Sequence, residues 1–320
     1  MKAIYVTTPG GPEVLKYQDV PDPSPGPGQV LVKVEAAGIN FADVYSRRGR
    51  GTFPSIAGQE GAGVVEALGP NVTGANIGDR VAYNGAPGSY AEKQVVAAAR
   101  LVPVPEGLST RTAAAALLQG MTAHYLATST YALKAGDTCL VHAAAGGVGL
   151  LLCQIAKMRG ARVIGTVSST EKAQAAREAG ADDVINYETS DFVEEVKKLT
   201  SGAGVNVVYD SVGKTTFLRG FDVLKPFGTM AIYGSASGEP DPVDTSLLNA
   251  KGCVYLTRAN LGTYTATREV LLQRSGEVFD WIASGKLKVH VFGEYPLADA
   301  SKAHAALEHR ETIGKLILIP

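Results

Sequence analysis

The stretch that most restricts the fold runs from Gly136 to Lys157, GDTCLVHAAAGGVGLLLCQIAK. A Gly136-Asp137 turn leads into a short apolar run, Cys139 to His142, long enough for one buried parallel strand. Ala143 to Gly149 carry almost no side-chain bulk, and an apolar helical pattern follows from Leu150 to Met158. Strand, small-residue turn and helix, in that order, make the phosphate-holding half of a dinucleotide fold. The small residues let the backbone approach a pyrophosphate, and the helix N-terminus offers it N–H groups and a positive dipole end. Ala144, Gly146 and Gly149 stand at the three glycine places of the Gly-x-Gly-x-x-Gly pattern. The first is an alanine, so the flanking strand and helix carry the assignment.

A second strand reads Ala161 to Val167. In an NAD site, an acid near its end would hold the ribose hydroxyls. Here the chain reads Val167-Ser168-Ser169-Thr170, with no acid before Glu171 and with Lys172 one turn into the next helix. Hydroxyls and a lysine suit a 2′-phosphate, which an acid would repel, so NADPH is favoured over NADH.

At 320 residues the chain exceeds the usual single domain, and two are expected. A net charge of −1 without a basic block argues against nucleic acid and anionic membranes as partners. Three cysteines are too few for a disulfide framework. Cys139, Cys153 and Cys253 all read as packing residues in apolar runs. No apolar run is long enough to span a bilayer, and Met1 to Val6 begins a strand rather than a signal peptide. The expected compartment is the reducing cytoplasm.

Strand-like runs at 3–7, 15–19, 30–37, 61–68, 80–83 and 90–95, separated by Gly/Pro clusters, predict an antiparallel barrel-like domain. An Ala/Leu-rich helix is expected over 109–127, with a further one beginning near Met121. Then strands at 138–142, 162–166, 183–186, 205–210, 229–232 and 251–256 alternate with helices at 149–159, 170–179 and 191–200, which predicts a doubly wound parallel sheet. Gly160 and Gly180 fall where helices must end. A long helix is expected over 265–284. The apolar tail, 315–319, is too short for a domain and is expected to return to the barrel.

The residues Gly136-Asp137, Leu140, Ala144-Ala145-Gly146-Gly147, Gly149, Gln154 and Lys157 resemble the quinone oxidoreductase and zeta-crystallin signature. The resemblance continues through 36–45, 58–63, Asp210-Ser211-Val212-Gly213 and 316–320, and so covers essentially the whole chain. The wider superfamily is the medium-chain dehydrogenase/reductases. The fold implied is α/β, a GroES-like β-barrel catalytic domain (1–121 and 261–320) around an inserted Rossmann domain with a doubly wound parallel sheet (122–260). The activity implied is NADPH-dependent reduction of a quinone by a homodimer or tetramer.

The resemblance also implies site residues. Asn40, Phe41, Asp43 and Tyr45 form the loop facing the nicotinamide and the pocket, with Asn40, Asp43 and Tyr45 the catalytic candidates. Thr122 and Tyr125 lie on the domain-joining helix. Gly146, Gly147 and Val148 hold the pyrophosphate. Ser168 and Lys172 hold the 2′-phosphate, with Tyr187 beside them. Ser211 and Val212 border the adenosine, and Gly234, Ser235 and Ser237 follow the next strand. Asn260 and Leu261 close over the nicotinamide, and Arg310 reaches a phosphate.

Zinc alcohol dehydrogenases place a Cys where Asn40 stands and Gly-His-Glu where Gly58-Gln59-Glu60 stand. Amide oxygens are poor zinc ligands, so no metal is expected. Hydride transfer must then suit acceptors that need no Lewis acid, such as quinones or activated enones. Tyr45 offers a ring for a flat quinone, or a hydroxyl for its oxygen. Arg47, Arg48 and Arg50 make a small basic cluster that either guides an anion or is simply solvated. His142 reads as a hydrogen-bonded core residue, and His304 shows no metal spacing. Two other readings remain: reduction of an α,β-unsaturated carbonyl, and NADPH binding without turnover by a structural or RNA-associated protein. Thioester-reducing relatives carry a tyrosine just after the pocket loop's glycine, where this chain reads Gly49-Arg50-Gly51.

Overall fold

The computed structural model describes residues 1–320, which divide into two compact units, 1–121 with 264–320 and 122–263. The first segment contains β1 (Lys2–Val6), β2 (Lys16–Asp19), β3 (Gln29–Ile39), α1 (Phe41–Tyr45), β4 (Ser55–Ile56), β5 (Glu60–Leu68), β6 (Arg80–Asn84), β7 (Lys93–Ala97), β8 (Val102–Pro103) and α2 (Thr110–Tyr125). The second unit contains β9 (Thr138–Val141), α3 (Gly147–Met158), β10 (Arg162–Val167), α4 (Thr170–Glu178), β11 (Asp183–Asn186), α5 (Phe192–Leu199), β12 (Val205–Asp210), α6 (Phe217–Gly220), β13 (Leu224–Ile232), α7 (Ser246–Ala250), β14 (Tyr255–Arg258) and α8 (Leu261–Tyr264). The chain then returns through α9 (Arg268–Ala283), β15 (Val291–Pro296), α10 (Ala300–Glu308) and β16 (Lys315–Ile319).

The first unit is built on a three-stranded sheet, β2-β1-β4, and a larger sheet ordered β15-β16-β3-β5-β6-β8, with β7 also paired to β3. Its pairs are antiparallel except β15–β16. The tail returns as expected: Leu316 pairs with Ile39 and Leu318 with Ala37. Long β3 serves two cores in succession, Val30 and Val32 packing with Val81 and then Val34, Ala37 and Ile39 packing with Leu316.

The second unit is a six-stranded sheet, β11-β10-β9-β12-β13-β14, parallel throughout. The order reverses between β9 and β12, the switch point at which doubly wound sheets bind ligands beyond the carboxyl ends of their strands. Strands buried on both faces need apolar residues throughout, and β9 and β12 supply them as Cys139-Leu140-Val141 and Val207-Val208-Tyr209. The helices carry local stop and start signals. Ser169 caps α4 by accepting the Lys172 N–H at 3.2 Å, and Asp191 caps α5 by accepting from Val193 and Glu194. Gly160 and Gly180 follow α3 and α4 with φ of 78° and 100°.

Several expectations need correction. No second helix starts near Met121: α2 runs unbroken through Gly120, where a Cβ would lie 2.6 Å from Val278 Cγ1. That glycine serves close packing rather than a break. The segment after Asn40 is helix, not loop, because the Asp43 carboxylate accepts the Asn40 N–H at 2.8 Å and starts α1. The strand expected at 251–256 starts at Tyr255, since Gly252 and Cys253 turn with φ of 96° and 55°. Cys253 is therefore exposed, while Cys139 and Cys153 are buried as expected. The Asn260 side chain accepts the Thr263 N–H. β15, with no clean alternation, went unread, and so did α10, although Ala300, Ala303, His304 and Leu307 stand at helical spacing. No helix is long and apolar enough to cross a membrane.

Candidate active site

In the second unit, the candidate residues gather at the carboxyl edge of the parallel sheet. Beyond β9 the chain is pinned to both neighbours: His142 N–H bonds Tyr209 O at 3.0 Å, and Ala144 N–H bonds Thr166 O at 3.0 Å. Between them Ala143 takes φ +52°, which re-aims the turn, and Gly146 caps α3 without a side chain. At Gly149 a Cβ would lie 2.3 Å from Ala143 O, so only glycine lets the helix sit this close to its turn. Gly146, Gly147 and Val148 are partly exposed at this helix start.

Beyond β10, Ser168 and Lys172 meet directly, with Nζ to Oγ at 3.3 Å. Capping by Ser169 leaves the Ser168 hydroxyl to the lysine. Tyr187 follows β11, and its N–H bonds Val167 O at 3.0 Å, so it borders the same strand end. Beyond β12, Asp210 folds the turn by accepting from the Val212 and Gly213 N–H groups and from Thr216. This leaves Ser211 and Val212 partly exposed at the edge. A Cβ on Gly234 would meet Ser211 O at 2.8 Å, so the backbones after β12 and β13 touch there. Ser237 donates to Val212 O and Ser235 to Glu239, bracing these turns. Asn260 is exposed and Leu261 half-buried beyond β14, whereas Thr122 and Tyr125 on α2 are buried. His142 is buried, holds Thr166 Oγ1 through Nδ1 at 2.9 Å, and is kept neutral by burial.

In the first unit, the candidates form a closed polar cluster. Lys315 Nζ donates to Glu60 Oε2 at 2.6 Å and to Asn40 Oδ1 at 2.8 Å. Gln119 donates to the same Asn40 oxygen, and Asn40 Nδ2 donates to Glu60 Oε2 at 2.9 Å and to Gly38 O at 3.4 Å. The second Glu60 oxygen takes the Leu118 N–H. Glu60 and Lys315 are 0% and 1% exposed. Space for the carboxylate comes from Gly38, where a Cβ would fall 2.3 Å from Glu60 Oε2. Register places the ammonium: β16 pairs Leu316 with Ile39, so Lys315 comes beside Asn40.

Asp43 belongs to a second buried chain. Its Oδ2 accepts from Asn40 N–H and Tyr90 OH, and Tyr90 OH contacts His304 Nε2 at 3.0 Å. Burial lifts Asp43 to about 7, offset by the Asn40 N–H and the Tyr90 hydroxyl. Burial likewise lowers His304 to about 3. Phe41 and Tyr45 are half-buried with ring centres 6.1 Å apart, and the Arg50 guanidinium lies over the Tyr45 ring at 4.9 Å. In the basic cluster Arg47 is buried, pairing with Glu308 and donating to Gly10 O, whereas Arg48, also paired with Glu308, and Arg50 stay exposed. Arg310 is exposed in the turn after α10, with φ +60°.

Lys315, Gln119 and Tyr90 were not foreseen from sequence. The available signal for Lys315 was a lone cation opening an otherwise apolar strand. Nowhere in the chain do three or more His, Cys, Asp or Glu side chains gather as a metal site. Gln59 is occupied elsewhere, donating to Ser46 Oγ at 2.8 Å.

Comparison with known proteins adds the family. An alcohol dehydrogenase GroES-like domain matches residues 26–106, and a domain described as zinc-binding dehydrogenase matches residues 147–274. A quinone oxidoreductase of Pseudomonas aeruginosa is 44% identical over 323 residues, covering 100% of this chain and 99% of that protein. The chain belongs to the quinone oxidoreductase family. It is an oxidoreductase of the medium-chain dehydrogenase/reductase superfamily, with a GroES-like domain and a Rossmann-like parallel sheet. The Escherichia coli quinone oxidoreductase, crystallised with NADPH, superposes with a TM-score of 0.97 at 43% identity, covering 100% of both chains. A 2-haloacrylate reductase of a Burkholderia species in the same family is 41% identical over 99% of this chain and 98% of its own.

Proposed function

We propose that the chain is an NADPH-dependent quinone reductase that works without zinc. The observation that carries the cofactor choice is the end of β10, where Ser168 and Lys172 touch and the chain reads Val167-Ser168-Ser169-Thr170 without an acid. The small-residue turn before α3 suits the pyrophosphate, and Lys172 and Ser168 suit the 2′-phosphate. NADPH, when bound, supplies a hydride from its nicotinamide. The quinone acceptor rests on the Pseudomonas and Escherichia relatives. Phe41 and Tyr45 give a flat acceptor an aromatic neighbour, and the Tyr45 hydroxyl or solvent supplies the proton that completes the quinol.

Zinc independence rests on donor chemistry. An ammonium holds Glu60, and amides stand where a thiolate and an imidazole would be needed. A reducing cytoplasm suits the three free thiols. A homodimer is supported by β14, an edge strand whose Tyr255 and Leu256 are exposed, with Phe227 67% exposed as well. Tyr255→Lys should convert that dimer to monomer in sedimentation experiments.

The haloacrylate-reducing relative favours a second reading, reduction of an activated double bond. Side-by-side initial rates with naphthoquinone and 2-chloroacrylate decide between them. The quinone reading requires the larger kcat/KM for naphthoquinone, and the reverse order would overturn it.

A further inference from the structure

Every hydrogen-bonding position of the Asn40 amide is spent inside the protein. Its oxygen takes Lys315 and Gln119, and its nitrogen serves Glu60 and Gly38. Nothing is left to donate to an acceptor, so the residue cannot act by touching substrate in this arrangement. Its backbone N–H, meanwhile, is the anchor for Asp43, which starts α1. Asn40 is thus the joint between the ammonium cluster and the helix that carries Phe41 and Tyr45. Lys315 reaches that joint from the opposite end of the chain.

We propose that Lys315 is a positioning residue of the reductase: its buried ammonium, shared between Glu60 and Asn40, fixes Asn40 and with it the start of α1. The proposal rests on the reading of Phe41 and Tyr45 as neighbours of the acceptor. Geometry favours this role over a simple surface pair. The ammonium and carboxylate are fully buried, and Gly38 opens the space that the carboxylate fills. Two independent donors, Lys315 and Gln119, hold the Asn40 oxygen. A buried amide held at both ends has one orientation, and a flipped amide would face Lys315 with its NH2 group.

The test separates positioning from mere support. Lys315→Ala removes the ammonium, and propylammonium is small enough to refill the space beside Glu60. The variant should lose at least about tenfold in kcat, as misplaced reactants do, with NADPH affinity by nicotinamide fluorescence unchanged. Propylammonium should restore part of that loss, and tetramethylammonium at equal ionic strength should not. Lys315→Arg keeps the charge but reshapes the donor, and should fold, bind NADPH normally and lose kcat. The charge-neutral Glu60→Gln/Lys315→Met pair gives the same readout should Lys315→Ala not fold. Wild-type kcat in the folded variants, or a loss shared equally by NADPH binding, would overturn the proposal. Rates are taken with whichever acceptor the wild-type enzyme turns over, so failure with quinones overturns only the acceptor assignment.

Discussion

The two units solve the problem of holding polar groups in opposite ways. In the first, Asn40, Glu60, Gln119 and Lys315 hydrogen-bond one another out of water, and Asp43, Tyr90 and His304 do so alongside, with Gln119 Oε1, Asp43 Oδ1 and His304 Nδ1 left unpaired. In the second, the carboxyl edge of the sheet offers backbone N–H groups, small residues and partly exposed side chains, with Ser168 and Lys172 at its rim. Buried mutual satisfaction costs desolvation and gives fixed geometry. An open edge of small residues keeps its polar groups for a ligand. The first unit is therefore sensitive to losing a partner, and the second to gaining bulk or the wrong charge.

Variants can break this contrast, beginning with the largest effect. Lys315→Met leaves the Glu60 charge buried without its cation and should cost about 3–5 kcal/mol in urea unfolding. Removing both charges in Glu60→Gln/Lys315→Met should recover most of that stability. In the second unit, Gly149→Val forces bulk against Ala143 O and should cost about 1–3 kcal/mol or more while abolishing NADPH binding in a fluorescence titration. Lys172→Glu should leave thermal stability unchanged and weaken NADPH by about 1.4–2.8 kcal/mol, roughly 10–100-fold, with little change for NADH.

The smallest effect sharpens the contrast through pH. The folded chain keeps a proton on Asp43 up to about 7 that an unfolded aspartate releases near 3.8, so this contribution is lost as pH rises between those values. His304 titrates near 3 when folded and 6.5 in a model peptide, so its contribution is lost as pH falls through that range. The two oppose each other between about pH 4 and 6.5. Relative to wild type, Asp43→Asn should gain stability with rising pH there, at up to about 1.4 kcal/mol per unit, and His304→Gln should show the reverse slope. Parallel pH profiles for both variants would show that the two groups are not buried as described.

The second unit was largely legible in sequence because its signals are local. A strand, the 143–149 turn and α3 lie within one run, and glycine stops mark the helix ends. The first unit's cluster was not, because it joins residues far apart in the chain. Nothing in Leu316 to Ile319 says that Lys315 opposes Asn40; the register of β16 against β3 decides it. Glu60 was visible beside the departures from a metal site at Asn40 and Gln59, but its cation was not. Gly38 and Gly120, unremarkable in sequence, give clearance to Glu60 and Val278. The arginines at 47 and 48 read as an anion guide or as solvated because their partner, Glu308, lies far along the chain on α10.

The most direct test of the central claim is the initial rate of naphthoquinone reduction by dipicolinate-treated enzyme, measured with NADPH and with NADH. The account predicts that chelation leaves the rate unchanged and that NADPH exceeds NADH by roughly tenfold or more in kcat/KM. Activity lost on chelation and restored by zinc, or equal use of the two nucleotides, would contradict it.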